Sequence, residues 1–376
     1  MAERTIPYEP GLDGLRAVCI TGVLLFHVFA VAGYDGWVRG GGLGVSVFFT
    51  LSGFLITTLL VTEYASTGGI RLWRFWGRRV QRLVAASLVV VVAVMVLTMF
   101  DVLDLRRSDA LAAIWSATNW HVIASGESEL IHTIVGPLGP TWSLAVEEQF
   151  YLGLVLVCWW AVRRRRPERT LAVVFVVATV LSVVLANVVS DWQPRLEFGT
   201  DVRMGELAIG CLLALGWRRW GARAVLRRPT TEIAGWLALG VMAILFLFAD
   251  YSPPWLLRGG FVLVALVSAT VITSVMAGGS VQRVLALPPL VAVGRWSYAL
   301  YLVHWPTYLA VQHCWDLDGA AMVVVGLALA FAIAVALHLL VEQPLRGRRV
   351  EPRTAVAGWL VASVAVSVLA FAVLSN

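Results

Sequence analysis

Apolar residues along this chain come in runs of about twenty, the length a helix needs to cross a hydrocarbon core, with short polar stretches between them. Eleven runs can be marked: 12–33, 41–63, 83–100, 142–162, 170–190, 202–218, 232–250, 259–276, 290–311, 320–341 and 354–374. The pattern predicts an all-α fold, a polytopic integral membrane bundle of about eleven transmembrane helices. One apolar piece, 110–125, is left over. It carries Trp115, Asn119, Trp120 and His121, which suits the membrane interface, and it is expected to be a re-entrant or surface segment. No period of 20–50 residues repeats and no low-complexity linker divides the chain. The expected organisation is a membrane domain over 1–350 and an additional C-terminal transmembrane helix over 351–376.

Composition agrees with the pattern. Hydrophobic residues make up 59% of 376 positions and charged residues 14%, with a mean hydropathy of +0.82; a soluble domain carries nearer a quarter charged. Charge is also sorted by loop. Arg71, Arg74, Arg78, Arg79 and Arg82, the Arg163–Arg166 run, the 218–228 loop and the 346–353 loop are arginine-rich. Asp101, Asp104, Asp191 and Asp250 mark the loops between them. A cytoplasmic N-terminus puts every basic loop inside, and the C-terminus is then extracytoplasmic. The net charge of +6 therefore reads as membrane topology, not as nucleic-acid binding.

Several features exclude other chemistry. The N-terminal Met-Ala-Glu-Arg-Thr-Ile-Pro has no signal-peptide pattern, so the first run is expected to be an uncleaved span. Cys19, Cys158, Cys211 and Cys314 lie in or beside apolar runs without CxxC spacing, as packing residues do. His121, His132, His313 and His338 lack metal-ligand spacing and no metal is expected. The Gly-Gly-Gly-Leu-Gly at 40–44 lacks Lys-Ser/Thr and reads as a tight turn, not a phosphate loop.

Ionisable groups inside spans are costly, so each is a functional candidate. Arg16 and His27 lie three turns apart on nearly one face of the first span, with His27 roughly 16 Å further out. In the fourth span Glu147 and Glu148 fall about 10 Å below the outer edge. In the ninth, His304 falls roughly 21 Å from the inner end. The counts put His27, the glutamate pair and His304 at similar depth. A histidine beside a carboxylate suits general-base catalysis on a hydroxyl, because the carboxylate holds the tautomer and stabilises the charged ring.

A second layer is basic. Arg16, Arg79, Arg82 and Arg295 fall at the inner ends of their spans, and guanidinium forks suit a phosphorylated donor such as the nucleotide end of coenzyme A. Asp201, Arg203 and Glu206 either face the same cavity or form a local ion-pair network. The Ser52-Gly53 step suits close helix packing. Glu342-Gln343-Pro344 is expected to end a helix at the inner face, with the proline as breaker.

Five segments in this order resemble the acyltransferase 3 family, multi-span membrane acyltransferases that modify surface polysaccharides and secondary metabolites. Gly-Leu-Asp-Gly-Leu-Arg16 through His27 is similar to its Arg-x10-His motif, and Arg79-Val-Gln-Arg82 to its Arg-x-x-Arg motif. Trp142 through Tyr151, with Glu147 and Glu148, is similar to its Glu-Glu segment. Gly294-Arg295 through Pro306 and Val-Glu342-Gln-Pro344 are similar to its late motifs. The resemblance runs from about residue 8 to 350. Gln81 and Ala85 depart from it, standing where the second motif usually continues with Arg and Pro.

The resemblance implies an acyl-CoA co-substrate, commonly acetyl-CoA, and an acceptor hydroxyl, with no permanently bound cofactor. It implies His27 as base with a glutamate of the Glu147/Glu148 pair as its partner, and Arg16, Arg79 and Arg82 on the donor; Arg295 joins these by its position. His304, Tyr301, Ser52, Tyr151 and Arg203 complete the residues expected to bind substrate. Many members carry an extracytoplasmic hydrolase-like domain after the eleventh span, whereas this chain stops at Asn376. Either it acts alone or the sequence ends before such a domain, and an extracytoplasmic partner domain or protein is a further expectation. The expected activity is O-acylation of a cell-envelope carbohydrate at the plasma membrane. The alternatives are a small secondary metabolite such as a macrolide as acceptor, or a transporter or flippase of glycan precursors with Glu147/Glu148 as its proton site. The internal repeats common in transporters are not found.

Overall fold

The computed structural model describes residues 8–34, 36–125, 136–189, 193–219, 229–250, 253–347 and 350–375. Expectations concerning His132, Asp191 and most of the 218–228 loop lie outside the described residues, as does the side chain of Arg82. Among the described residues every regular element is helical. That is what a chain in lipid requires, since a helix satisfies its backbone N–H and C=O groups internally.

Nine helical stretches among the described residues are long and apolar enough to cross a membrane. They are Pro10–Val31 (α1), Gly41–Thr67 (a 3₁₀ turn leading into α2, Gly44–Thr67), Leu72–Met99 (α3), Thr141–Ala161 (α6) and Pro167–Val188 (α7). Pro229–Phe248 (α10), Leu256–Ala277 (a π turn leading into α11, Phe261–Ala277), Gly319–Arg346 and Pro352–Val373 (α16) complete them. Two more long helices, Thr200–Arg219 (α9) and Pro288–Trp315 (α13), stand where the sixth and ninth apolar runs predict spans. They are the more polar ones because they carry Asp201, Arg203 and Glu206 in one case and Arg295 and His304 in the other. Short helices fill the connections: Gln193–Phe198 (α8) and Ser280–Leu285 (α12).

The 110–125 piece is broken into Arg107–Ile114 (α4) and Thr118–Ser125 (α5). At eight residues each, these reach only about 12 Å, too short to cross. The chain bends between them at Ser116, whose φ is +53°.

One expectation is corrected. Pro344 does not end its helix. Gly319–Leu337 (α14) passes through a π turn, His338–Glu342, into Gln343–Gly347 (α15). The wider π turn shifts the hydrogen-bond register just before the proline, so Pro344 enters as the second residue of a new α segment. There its missing N–H is not needed.

The chain forms two compact units. The first comprises Met1–Phe26, Trp37–Ile70 and Val146–Arg295, and the second His27–Gly36, Arg71–Ala145 and Trp296–Asn376. In the first, α2 and α9 pack most closely. A Cβ at Gly53 would lie 2.0 Å from the Leu207 carbonyl oxygen and one at Gly210 2.0 Å from that of Thr50, so the two backbones touch where small residues face each other. Leu51, Phe54, Val264, Val271 and Phe246 pack around this crossing in one apolar core. In the second unit α16 lies along α3, while the His338–Glu342 turn and α15 pack on α3 as well.

Candidate functional site

His27 and His304 meet in the second unit. His304 is fully buried and His27 is 7% exposed. The His304 Nδ1 faces the carbonyl oxygens of Tyr301 (2.8 Å) and Leu300 (3.2 Å), and its Nε2 lies 3.2 Å from His27 Nδ1. Carbonyl oxygens only accept, so Nδ1 of His304 carries the proton and Nε2 of the neutral ring has the lone pair. That lone pair accepts from His27 Nδ1–H, which puts the basic lone pair of His27 on Nε2. A buried imidazole thus sets the tautomer of His27. Trp305 packs 5.3 Å from the His27 ring, and Tyr301 and Tyr308 flank His304 at 5.6 and 5.8 Å. Tyr301 is itself fixed: its hydroxyl donates to the Pro140 carbonyl (2.7 Å) and lies 2.6 Å from Ser143 Oγ.

In the first unit, Glu147 is held at both oxygens. Ser52 Oγ donates to Oε1 at 2.8 Å and the Tyr151 hydroxyl to Oε2 at 3.2 Å. The Ser52-Gly53 step therefore divides its work, with Gly53 admitting the α9 backbone and Ser52 orienting a carboxylate. Glu148 is half-buried one position on, about 100° further round the helix.

Also in the first unit, Arg16 and Arg295 are tied to one anchor. Arg16 Nη1 lies 3.2 Å from Asp13 Oδ1, the Tyr8 hydroxyl donates to Asp13 Oδ2 at 2.6 Å, and Arg295 Nη2 donates to the Tyr8 oxygen at 3.1 Å. The helices can come this close because residue 294 is glycine; a Cβ there would lie 1.8 Å from the Asp13 carbonyl oxygen. Partial desolvation of its hydroxyl, helped by the bond to Asp13, pushes the otherwise exposed Tyr8 phenol above its ordinary pKa. Asp13 and Tyr8 were not expected here; Asp13 stands three residues before Arg16, the i,i+3 spacing of a helical ion pair.

Arg203 is enclosed. It is fully buried, with Nε 2.6 Å from Glu206 Oε2, Nη1 donating to the Glu197 carbonyl at 2.6 Å and Nη2 to Ser46 Oγ at 3.2 Å. Its guanidinium also lies 3.8 Å from the Phe261 ring centre. Asp201 pairs instead with Arg195 at 2.7 Å. The structure thus places Arg203 in a local ion-pair network. Arg79 is half-buried on α3.

Sequence reasoning passed over two further clusters, both in the second unit. His121 Nε2 lies 2.7 Å from the buried Asp109 Oδ1, whose other oxygen takes Arg106 Nε at 2.9 Å. His338 Nδ1 and Arg346 Nη2 both meet Glu342 Oε2, at 2.8 and 2.9 Å. The i,i+4 spacing of His338, Glu342 and Arg346 was readable; the pairing of Asp109 with His121 across the Ser116 turn was not. Among the described residues no group of three or more His, Cys, Asp or Glu could hold a metal ion.

Residues 9–339 match the acyltransferase domain family Acyl_transf_3. The chain is 34% identical over 315 residues to O-acetyltransferase OatA of Staphylococcus aureus (strain NCTC 8325 / PS 47), covering 81% of this chain and 51% of that protein. OatA of Staphylococcus aureus (strain COL) is similar to the same extent, 34% over 315 residues with the same coverage. The chain spans about half the length of the relatives it matches. No solved structure matches it.

Proposed function

The chain belongs to the acyltransferase 3 family, and on that premise we propose that it transfers an acyl group, acetyl in the first instance, from acyl-CoA to a hydroxyl of a cell-envelope carbohydrate. It is a multi-pass protein of the cell membrane. In this reading all eleven long helices cross, the N-terminus is cytoplasmic, and the membrane domain proper ends near residue 350 with α16 added to it. Acyl-CoA arrives from the cytoplasmic side, its phosphates met by Arg16, Arg79, Arg82 and Arg295.

The observation that carries the chemistry is the His27–His304 hydrogen bond. With Nδ1–H of His27 engaged by His304, Nε2 of His27 takes the proton of the acceptor hydroxyl. The oxygen attacks the thioester carbonyl, the C–S bond breaks, and the thiolate leaves and is protonated in its turn. A base so positioned accelerates attack by about 10²–10⁴-fold. Glu147, pre-oriented by Ser52 and Tyr151, and Glu148 are the carboxylates assigned to the same reaction. Tyr301 positions His304. Arg203, with no open face, is assigned to the fold and not to the substrate.

The test is release of free thiol from acetyl-CoA by the purified protein in lipid nanodiscs, with a carbohydrate acceptor added. His27→Ala should lower turnover by at least about a hundredfold while leaving the elution profile and melting temperature near wild type. Equal release by the two proteins would remove His27 from the chemistry.

A further inference from the structure

We infer that the His338–Arg346 turn is a phosphate-binding site in which Arg346 meets the anion and Glu342 and His338 hold Arg346 in place. The inference rests on the acyl-CoA reading for the source of that phosphate.

A π turn inside an α-helix is rare and frequently sits at a functional site. Here the turn brings two ionisable side chains, nearly all of their surface buried, onto one face. Gln343 Nε2 donates to His338 Nε2 at 3.3 Å, so His338 carries its proton on Nδ1 and donates it to Glu342 Oε2 at 2.8 Å. The same oxygen receives Arg346 Nη2 at 2.9 Å. His338 and Glu342 are buried, whereas the Arg346 side chain is 35% exposed. Among the described residues, Glu342 engages the guanidinium through Nη2. The other Glu342 oxygen, Oε1, is buried without a hydrogen-bond partner among the described residues. A carboxylate is expensive to enclose this way unless its counter-charge is fixed beside it. Glu342 thus binds Arg346 to the turn more firmly than a surface ion pair would.

The neighbouring helix adds charge of the same sign. The π turn and α15 both pack on α3. Six residues after Arg346, Pro352 lies against α3 at Gly77, where a Cβ would sit 2.7 Å from the Pro352 Cα. The next two residues of α3 are Arg78 and Arg79. Arg353 leans on the Trp73 ring 5.9 Å away, and Glu351 and Glu342 are the acids of this stretch. A partly exposed guanidinium held on a buried carboxylate suits a phosphate, and Arg78, Arg79 and Arg353 lie on the helices packed beside it. That phosphate belongs either to the nucleotide part of acyl-CoA or to a phospholipid headgroup.

The experiment compares acetyl-CoA with S-acetylpantetheine, the same thioester without phosphates, using the full chain in zwitterionic and in anionic nanodiscs. The readout is the ratio of kcat/KM for the two donors. Arg346→Gln should lower that ratio roughly tenfold, the worth of one charge-assisted hydrogen bond. Arg346→Lys, which keeps the charge beside Glu342 but loses the fork, should lower it less. Glu342→Gln should also lower it, because Arg346 loses its anchor. A ratio unchanged in Arg346→Gln, with both donors equally affected or unaffected, overturns a donor-phosphate site. An effect that instead follows the anionic lipid content assigns the phosphate to a headgroup. If wild type releases thiol from neither donor, the acyl-CoA reading fails by itself. Bound anionic phospholipid, counted by native mass spectrometry in wild type and Arg346→Gln, then decides the inference, and equal counts overturn it.

Discussion

A buried imidazole is an unusual neighbour for a histidine proposed as a base, and its consequence can be stated at the level of single atoms. A carboxylate beside a histidine holds its tautomer and also favours its charged form. His304 supplies the first, because its Nδ1 proton is spent on the Tyr301 and Leu300 carbonyls and its Nε2 is left to accept. Removing it should therefore cost orientation, not the base itself. His304→Ala should lower kcat for thiol release on the order of tenfold, well short of the His27→Ala loss. A variant that loses as much as His27→Ala would mean that His304 reacts directly. The two histidines were singled out in the sequence because ionisable groups inside spans are costly. Their mutual contact was not legible, since 277 positions separate them. Arg203 teaches the same lesson from the other side. Its charge marked it for function, but Glu206, Ser46 and the Glu197 carbonyl absorb it.

At the scale of elements, hydropathy located the long helices well, because lipid rewards each apolar side chain independently of its neighbours. It located breaks less well. Pro344 reads as a stop, yet the π turn ahead of it lets the helix run on to Gly347. The register change that makes this possible leaves no hydropathy signal. The crossing of α2 and α9 is a sharper case. Gly53 and Gly210 are two of 33 glycines, and only the fold shows that a Cβ at either would fall 2.0 Å from a facing carbonyl oxygen. Backbone cannot retreat as a flexible side chain can. Gly53→Val should accordingly cost on the order of 2–3 kcal/mol, seen as a lower melting temperature of the detergent-solubilised protein by fluorescence-detected size exclusion. A melting temperature equal to wild type would show that the helices separate freely.

For the molecule as a whole, loop charge makes one strong claim. Arginine crowds into alternate loops, so residues 163–166 should be cytoplasmic and Asp104 should face the outside. Cysteines placed at Asp104 and Arg164, in a background lacking reactive thiols, should separate cleanly on intact cells: a membrane-impermeant maleimide labels Asp104→Cys and spares Arg164→Cys. The reverse pattern would invert the orientation and move the donor to the other face. Membrane embedding, the long helices and the ordered family motifs were determined by the sequence alone, because hydropathy, charge sign and residue order are properties of positions along the chain. The meetings of His27 with His304, of Glu147 with Ser52 and Tyr151, and of Arg16 with Arg295 through Asp13 and Tyr8 were decided only by tertiary structure. A hydrogen bond acts over about 3 Å and only in line. Which groups satisfy it depends on how far each helix has turned and how closely small residues let its neighbour approach.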